Sequence, residues 1–268
     1  MINAAALVGS HDVVMITLDT LRYDVAVEAL QAGMTPNIAS VLPGGAWELR
    51  HTPGSFTYAA HQAFFAGFLP TPARSGRHPR LFAARFAGSE TTSEFTATFD
   101  SPDWVTGLAA CGYHTVCIGG VGFFNKQSPL GSVLPGLFAE SHWSTEMGVT
   151  SDCSTERQVA LARSILQRHR MERRLLLFMN VSALHQPNCI FLPGMTADSK
   201  ETMRAALAYV DRWLKPLFRA IRSRAPALVV LCSDHGTAYG EDGFVGHRLA
   251  HPAVWNVPYA EFVLEGPG

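Results

Sequence analysis

The sequence predicts an α/β protein with three layers, α/β/α, around a mainly parallel sheet. Short apolar runs rich in β-branched residues alternate along the chain with helical segments, a pattern typical of parallel sheets covered on both faces. Of the 268 residues, 47% are apolar and 16% are charged, so the chain can bury a sizeable core and is not intrinsically disordered. We expect one domain over residues 1–268.

Four runs are predicted to be strands buried on both faces, because each is short and almost continuously apolar. The second of them follows the helix-end signal Cys111-Gly112. The four runs cover residues 13–18, 113–118, 175–181 and 228–232.

Helices are predicted before the last two strands, over Ser154 to Arg174 and over Lys200 to Arg222. In the second helix, apolar side chains recur at helical spacing and predict a stripe that faces a core. A third helix is expected to begin at Thr57, because the residues that follow it have a helical composition.

Charge and cysteine content limit the expected partners and location. The formal net charge is −1, so no general attraction to nucleic acid or to an anionic membrane is expected. The first residues lack the pattern of a signal peptide, and the longest apolar runs fall far short of the ~20 residues of a membrane span. Five cysteines without a C-x-x-C pair indicate reduced thiols in a cytoplasmic protein. An anionic small-molecule ligand would therefore need a local site, and the oligomeric state is left open.

Residues suited to metal binding follow three of the predicted strands. Asp19 follows the first strand, His185 the third, and Asp234 and His235 the fourth. Because ligands bind at the carboxyl ends of parallel strands, these side chains are expected at one edge of the sheet, where they suit zinc, manganese or magnesium. The alternative for each segment alone is a helix cap or a polar turn.

Six short motifs succeed one another along the chain. They are Asp19-Thr20-Leu21-Arg22-Tyr23-Asp24, Thr35-Pro36-Asn37-Ile38, Thr57 with Gly67 ten residues later, Gly112-Tyr113-His114-Thr115, His185-x-Pro187, and Ser233-Asp234-His235-Gly236 followed by Val257-Pro258. Their order and spacing resemble those of the sulfatase group of the alkaline phosphatase superfamily, and within it a compact bacterial branch of sulfatase-like hydrolases.

This resemblance implies an alkaline-phosphatase-like fold without the small C-terminal subdomain of many sulfatases. It also implies a divalent ion held by Asp19, Asp234 and His235, with Thr57 as a further ligand. One ion, zinc or manganese, is expected. Magnesium and calcium are alternatives, and a second ion is not excluded.

Departures from the sulfatase pattern predict chemistry on phosphorus. Thr57 stands where a sulfatase needs the Cys or Ser that becomes formylglycine, and threonine cannot form that aldehyde. Threonine here resembles the nucleotide pyrophosphatase/phosphodiesterase and lipoteichoic-acid-synthase branches. Gly119-Gly120-Val121-Gly122 replaces the sulfate-contacting G-K-x-H, and His247 replaces a lysine. We therefore predict a metal-dependent hydrolase or transferase of phosphodiesters or phosphomonoesters, with Thr57 as nucleophile and a covalent phosphothreonine intermediate.

Four histidines complete the predicted site. His185 and His247 are candidate catalytic residues, and His61 and His251 are candidate substrate contacts. Some of them could instead be packed or solvent-facing. A basic stretch is either a solvated face or a contact for an anionic substrate, and it contains Arg74, Arg77, Arg80 and Arg85.

Two other functions compete with the phosphoesterase. The first is a sulfatase-like or phosphonate hydrolase that works without formylglycine. The second is a binding protein that has kept the fold and lost catalysis. The combination of Thr57, Asp19, Asp234 and His235 argues against the second, because a protein without catalytic activity has no chemical need for all four.

Overall fold

Seven strands form the central sheet of a computed structural model that describes residues 2–67, 82–83, 97–98, 103–169 and 173–267. In chain order they are β1 (Asp12–Leu18), β2 (Glu48–His51), β5 (His114–Ile118), β6 (Glu140–His142), β7 (Leu175–Val181), β8 (Ala227–Cys232) and β11 (Asn256–Leu264). Two-residue strands form two further pairs, β3 (Phe82–Ala83) with β4 (Ala97–Thr98), and β9 (Ala238–Tyr239) with β10 (Val245–Gly246).

Eight α-helices lie within the described residues. They are α1 (Tyr23–Gln31), α2 (Pro36–Ala39), α3 (Thr57–Ala66), α4 (Trp104–Ala110), α5 (Pro129–Val133), α6 (Ser154–Arg168), α7 (Lys200–Arg224) and α8 (Pro252–Trp255). No helix in the described part of the chain combines the length and apolarity that crossing a bilayer requires.

The sheet is mainly parallel, as predicted. Its order is β2-β11-β8-β1-β7-β5-β6, and β11 alone runs antiparallel to its neighbours β8 and β2. Strand β1 lies between β8 and β7 and pairs in parallel with both. The carboxyl ends of β1, β7 and β8 therefore meet at one edge.

Alternate residues of the central strands pack into two separate cores, which gives the three layers. Ile16 and Leu177 belong to a core shared with α1, α6 and α7. Met15 and Phe178, which are their immediate neighbours in the chain, belong to a second core with α3 and α4. Because both faces of the strands are covered, their sequence is apolar at almost every position.

The four predicted strands are confirmed to within one residue at each end, but one predicted helix was too long. Helix α6 ends at Arg168, not at Arg174, because the backbone of His169 leaves the helical region. The guanidinium of Arg224 in α7 donates to the carbonyls of His169 and Arg173. The same guanidinium pairs with the buried Asp12 carboxylate at the start of β1.

Candidate metal and nucleophile site

Three potential metal ligands meet at the carboxyl edge of the sheet. Asp19 directly follows β1, and Asp234 and His235 come after the neighbouring strand β8. All three side chains are completely buried. One ligand atom from each lies within 4.8 Å of the others, so the predicted meeting of these residues is observed.

Thr20 fixes the relative position of the two carboxylates. Its backbone has a φ of 68°, in the left-handed region that β-branched residues rarely adopt. In this conformation the Thr20 amide donates to Asp234 Oδ1 at 3.1 Å, and the Thr20 hydroxyl donates to Asp19 Oδ1 at 2.8 Å. A strained residue that bridges two buried carboxylates is typical of a functional site.

Thr57 begins helix α3, as the sequence predicted, and points into this cluster. Its side chain is buried, with Oγ1 at 3.4 Å from Asp19 Oδ2 and 3.2 Å from His235 Nε2. Nδ1 of His235 donates to the carbonyl of Gly236 at 2.8 Å, which leaves Nε2 unprotonated in the neutral ring. The hydroxyl of Thr57 therefore faces two groups that can accept its proton.

The charge balance of the cluster favours a bound cation. Burial and the charge of Asp19 raise the pKa of Asp234 well above its ordinary value. Burial would raise the pKa of Asp19 as well, but the nearby His185 and His235 and hydrogen bonds from Asn180 and Thr20 lower it. Two adjacent carboxylates in a dry site repel each other, and a divalent ion relieves that repulsion.

Asp234 also has a free ligand atom. Its Oδ2 is buried and accepts no hydrogen bond from the described residues. It lies 3.6 Å from His235 Nε2. Two carboxylates, an imidazole and a hydroxyl form a donor set that zinc or manganese accepts, so the residues fit a divalent ion.

A chain of buried hydrogen bonds lies beneath the site, and the sequence did not indicate it. Asn180 Nδ2 donates to Asp19 Oδ2 at 3.0 Å and to Thr17 Oγ1 at 3.3 Å. Thr17 Oγ1 lies 3.0 Å from His61 Nε2, and His61 Nδ1 donates to the Thr57 carbonyl at 2.7 Å. The chain thus connects the Asp19 carboxylate to the first residue of α3. Thr17 and Asn180 stand in predicted strands at paired positions, and a polar residue inside an apolar run was the one available signal.

His61 occupies a different position from the one its predicted role requires. Burial lowers its pKa to about 4, and its ring packs against Phe65, Phe124 and Phe178. Both ring nitrogens are engaged, with Thr17 and Thr57. This arrangement leaves no nitrogen for a phosphate and favours a positioning role beneath Thr57.

His185 and His247 lie beside the cluster. The His247 ring centroid is 4.7 Å from that of His235 and 6.2 Å from that of His185. His185 Nδ1 donates to the carbonyl of Gln186, which leaves its Nε2 available. Burial, with smaller effects of His235 and His185, lowers the pKa of His247 to about 4, so its ring is neutral at pH 7.

His251 is placed as a helix cap. Its Nδ1 accepts a hydrogen bond from the Ala253 amide at the start of α8, and its Nε2 lies 3.1 Å from Asp242 Oδ2. Both ring nitrogens are therefore engaged away from the metal cluster. Its predicted role in substrate binding remains a prediction. The predicted basic stretch, with Arg74, Arg77, Arg80 and Arg85, lies outside the described residues.

Comparisons with known proteins give matches in structure only. No protein-family model matches the chain, and no curated protein matches its sequence. The soluble domain of lipooligosaccharide phosphoethanolamine transferase A from Neisseria meningitidis is similar, with a TM-score of 0.63 and 15% identity over 95% of this chain and 77% of that chain. The lipoteichoic acid synthase LtaP from Listeria monocytogenes has a TM-score of 0.63 and 12% identity, over 96% of this chain and 66% of that chain.

A third similar structure contains zinc. It is the C-terminal periplasmic domain of EptC from Escherichia coli in complex with Zn, with a TM-score of 0.65 and 10% identity over 96% of this chain and 74% of that chain. At these identities the comparisons establish the fold, which confirms the expected alkaline-phosphatase-like architecture. A neighbour described as periplasmic does not support the predicted cytoplasmic location.

Proposed function

We propose that this chain, which shares the alkaline-phosphatase-like fold with phosphoethanolamine transferases and a lipoteichoic acid synthase, is a metal-dependent enzyme that cleaves phosphate esters. Its substrate is a small anionic ester, either a phosphodiester or a phosphomonoester. The observation that carries the proposal is the position of the Thr57 hydroxyl, at the first turn of α3 and in hydrogen-bonding reach of both Asp19 and His235.

Thr57 acts as the nucleophile in the first step. Its Oγ1 forms a bond to phosphorus, the bond from phosphorus to the leaving alcohol breaks, and the phosphoryl group remains on Thr57 as a covalent ester. The hydroxyl proton passes to the Asp19 carboxylate, whose Oδ2 lies 3.4 Å from Thr57 Oγ1. His235 Nε2, at 3.2 Å, carries the lone pair that a bound ion would take. The ten-residue helix α3 directs its free N–H groups and its positive dipole end toward the phosphoryl oxygens.

A divalent ion held by Asp19, Asp234 and His235, with Thr57 as a further ligand, would favour the ionised hydroxyl and offset the charge of the phosphoryl group. The hydrogen bonds from Thr20 and Asn180 to Asp19 keep that carboxylate in one orientation. Positioning of this kind is what makes a small set of ligands effective.

His185 and His247 serve the leaving group and the second step. One ring delivers a proton to the departing alcohol, and a ring that is neutral at pH 7, such as His247, can accept the proton of an attacking water or alcohol. That second nucleophile displaces Thr57 Oγ1 from phosphorus and regenerates the enzyme. Attack by water gives hydrolysis, and attack by an alcohol gives transfer, as the names of the structural neighbours suggest for those proteins.

The test is turnover of bis(p-nitrophenyl) phosphate, p-nitrophenyl phosphate and p-nitrophenyl sulfate by purified protein loaded with zinc or manganese. We expect phosphate-ester cleavage that Thr57→Ala abolishes, and a covalent phosphoryl adduct on Thr57 detected by mass spectrometry after rapid acid quench. Thr196→Ala, at an exposed position, is the matched control and retains full turnover.

Two results would point elsewhere. Preferential cleavage of the sulfate, or of a phosphonate ester, would favour the sulfatase-like or phosphonate hydrolase. Wild-type turnover by Thr57→Ala would remove the threonine mechanism, and absence of turnover with every metal and ester would favour a binding protein.

A further inference from the structure

A second group of metal-binding side chains lies on the face of the sheet that α6 covers. His114 begins β5, Glu140 begins β6, and His169 caps the carboxyl end of α6. Glu140 Oε2 lies 2.9 Å from His114 Nε2 and 3.4 Å from His169 Nε2. One ligand atom from each of the three residues lies within 4.8 Å of the others.

This group is separate from the candidate catalytic site. His114 stands at the amino end of its strand, whereas Asp19, Asp234 and His235 follow the carboxyl ends of theirs. The strands concerned also differ, since β5 and β6 lie at the far edge of the sheet from β8. Neither the phosphoesterase mechanism nor the family motifs use Glu140 or His169.

The ion pairs of this group do not give each of its polar atoms a hydrogen-bond partner. His169 Nε2 is buried and makes no hydrogen bond with the described residues, although it lies close to the Glu140 carboxylate. The rings of His114 and His169 are stacked with their centroids 4.3 Å apart, so both rings lie on the same side of the Glu140 carboxylate that they approach. His114 Nε2 has a hydrogen bond with Glu140 Oε2, and an ion bound to both rings would give His169 Nε2 a partner as well.

We propose that His114, Glu140 and His169 form a second binding site, for zinc or another divalent ion that prefers imidazole ligands. Two imidazoles and one carboxylate are a frequent protein donor set for zinc, and water or the nearby His142 completes a tetrahedron. His142 Nε2 lies 2.6 Å from Glu140 Oε1, so its ring already faces the site.

The ion would join β5, β6 and the carboxyl end of α6. Strand β6 is only three residues long and forms the edge of the sheet, and His169 is the point where α6 ends. A metal ion that holds ligands from β5, β6 and α6 stabilises the folded chain, because the unfolded chain does not present the same set.

Arg168 provides a sensitive test of this proposal. Its Nη2 donates to Glu140 Oε1 at 2.6 Å, and its side chain is 57% exposed. If the group is only an ion-pair cluster, Arg168 stabilises the Glu140 carboxylate. If the group binds a metal ion, the positive charge of Arg168 competes with the ion for that carboxylate. Arg168→Gln therefore tightens zinc binding at the second site by roughly fivefold or more.

The experiment isolates the second site in an Asp19→Asn/Asp234→Asn background, which removes the charges of the first. Zinc content after gel filtration and zinc affinity by titration are measured at pH 7.5. We expect one equivalent of zinc, lost in Glu140→Gln and in His169→Gln and retained in His11→Gln, a control histidine elsewhere on the surface. Circular dichroism checks that each variant is folded.

A second readout is thermal stability with and without zinc. Zinc raises the melting temperature of the background protein and of Arg168→Gln, and has no such effect in Glu140→Gln. No bound zinc in the background protein, equal zinc content in Glu140→Gln, or weaker binding in Arg168→Gln would each overturn the proposal. None of these outcomes depends on turnover, so the test is independent of the proposed function.

Discussion

The hydroxyl of Thr57 lies 3.2 Å from Nε2 of His235, and the two residues are 178 positions apart in the chain. Two separate local features produce this distance. Helix α3 begins at Thr57 itself, and the bond from His235 Nδ1 to the Gly236 carbonyl turns Nε2 toward it. Gly236 is required here, because a Cβ would lie 2.1 Å from the carbonyl oxygen of Ala253.

Two substitutions of Thr57 test the role of its hydroxyl separately from the role of its side-chain shape. Thr57→Val keeps the branched side chain and removes the nucleophile, so we expect loss of more than about 10³-fold in phosphoester turnover with the fold intact. Thr57→Ser keeps the hydroxyl but loosens its rotamer, so it retains activity reduced by roughly tenfold. Initial rates on an activated phosphodiester measure both, and a Val variant as active as Ser would contradict the nucleophile assignment.

Metal affinity at the first site is expected to depend on pH through Asp234. Burial and the Asp19 charge raise the pKa of Asp234, so without metal this carboxyl keeps its proton to a higher pH than usual and must release it to bind an ion. Affinity for zinc therefore falls about tenfold per pH unit as pH drops below that raised pKa.

Calorimetric titration in two buffers of different ionisation enthalpy measures the proton release directly. A Glu140→Gln background removes zinc binding at the second proposed site. We expect Asp234→Asn to lose the affinity and the proton release together. A zinc affinity and a proton release that Asp234→Asn leaves unchanged would show that Asp234 is not a ligand.

The central strands and the residues at their ends were predictable, because both leave a local signal. A strand covered on both faces is continuously apolar, and Asp19, Asp234 and His235 follow directly after such runs. The edge strands β2 and β6 were not predicted, since they are short and partly exposed. Strand β11 alternates between buried and half-buried residues, and its antiparallel direction depends on tertiary pairing.

The supporting hydrogen bonds of the site could not be predicted from spacing. Thr17 and Asn180 pair across β1 and β7, and their meeting depends on the register of two strands far apart in sequence. His61 and His251 illustrate the same limit. A histidine near a motif can bind a substrate, support a nucleophile or cap a helix, and only its neighbours in space distinguish these roles.

His247 and His251 are expected to differ in their effect on turnover. His247 lies beside His235 and is buried enough to have a pKa of about 4, whereas His251 caps α8. We expect His247→Gln to lower kcat by about 10²-fold or more and His251→Asn, which preserves a capping side chain, to change it less than about threefold. Equal losses in the two variants would place His251 in the site as well.

Gly120 is expected to matter for the site although it carries no side chain. A Cβ at this position would lie 2.4 Å from the Asn180 carbonyl oxygen and 2.7 Å from Ser182 Cβ, so Gly120→Ala must displace the segment that orients Asn180. Because Asn180 donates to Asp19, we expect a loss of about 2 kcal/mol in the free energy of unfolding together with weaker metal binding. Gly136→Ala, at a position with open space, is the control, and denaturant titration with zinc analysis measures both effects.

His61 is expected to make the metal-free protein less stable in mild acid. Burial lowers its pKa in the folded state to about 4 from 6.5, so between these values the unfolded chain binds a proton that the folded chain does not. The free energy of unfolding therefore rises with pH across this window. The contribution of His61, about 3 kcal/mol, is fully present above pH 6.5 and is lost as the pH falls toward 4.

The free energy of unfolding of the wild type and of His61→Gln, measured in urea with a chelator from pH 4 to pH 7.5, tests this expectation. His61→Gln is less stable at pH 7.5, because Thr17 and the Thr57 carbonyl lose their partner, but its stability falls less steeply with acid than that of the wild type. His235 and His247 also have lowered pKa values and contribute equally to both curves, so the difference reports His61. Parallel curves would mean that the pKa of His61 is the same in the folded and the unfolded chain, which would contradict the expectation.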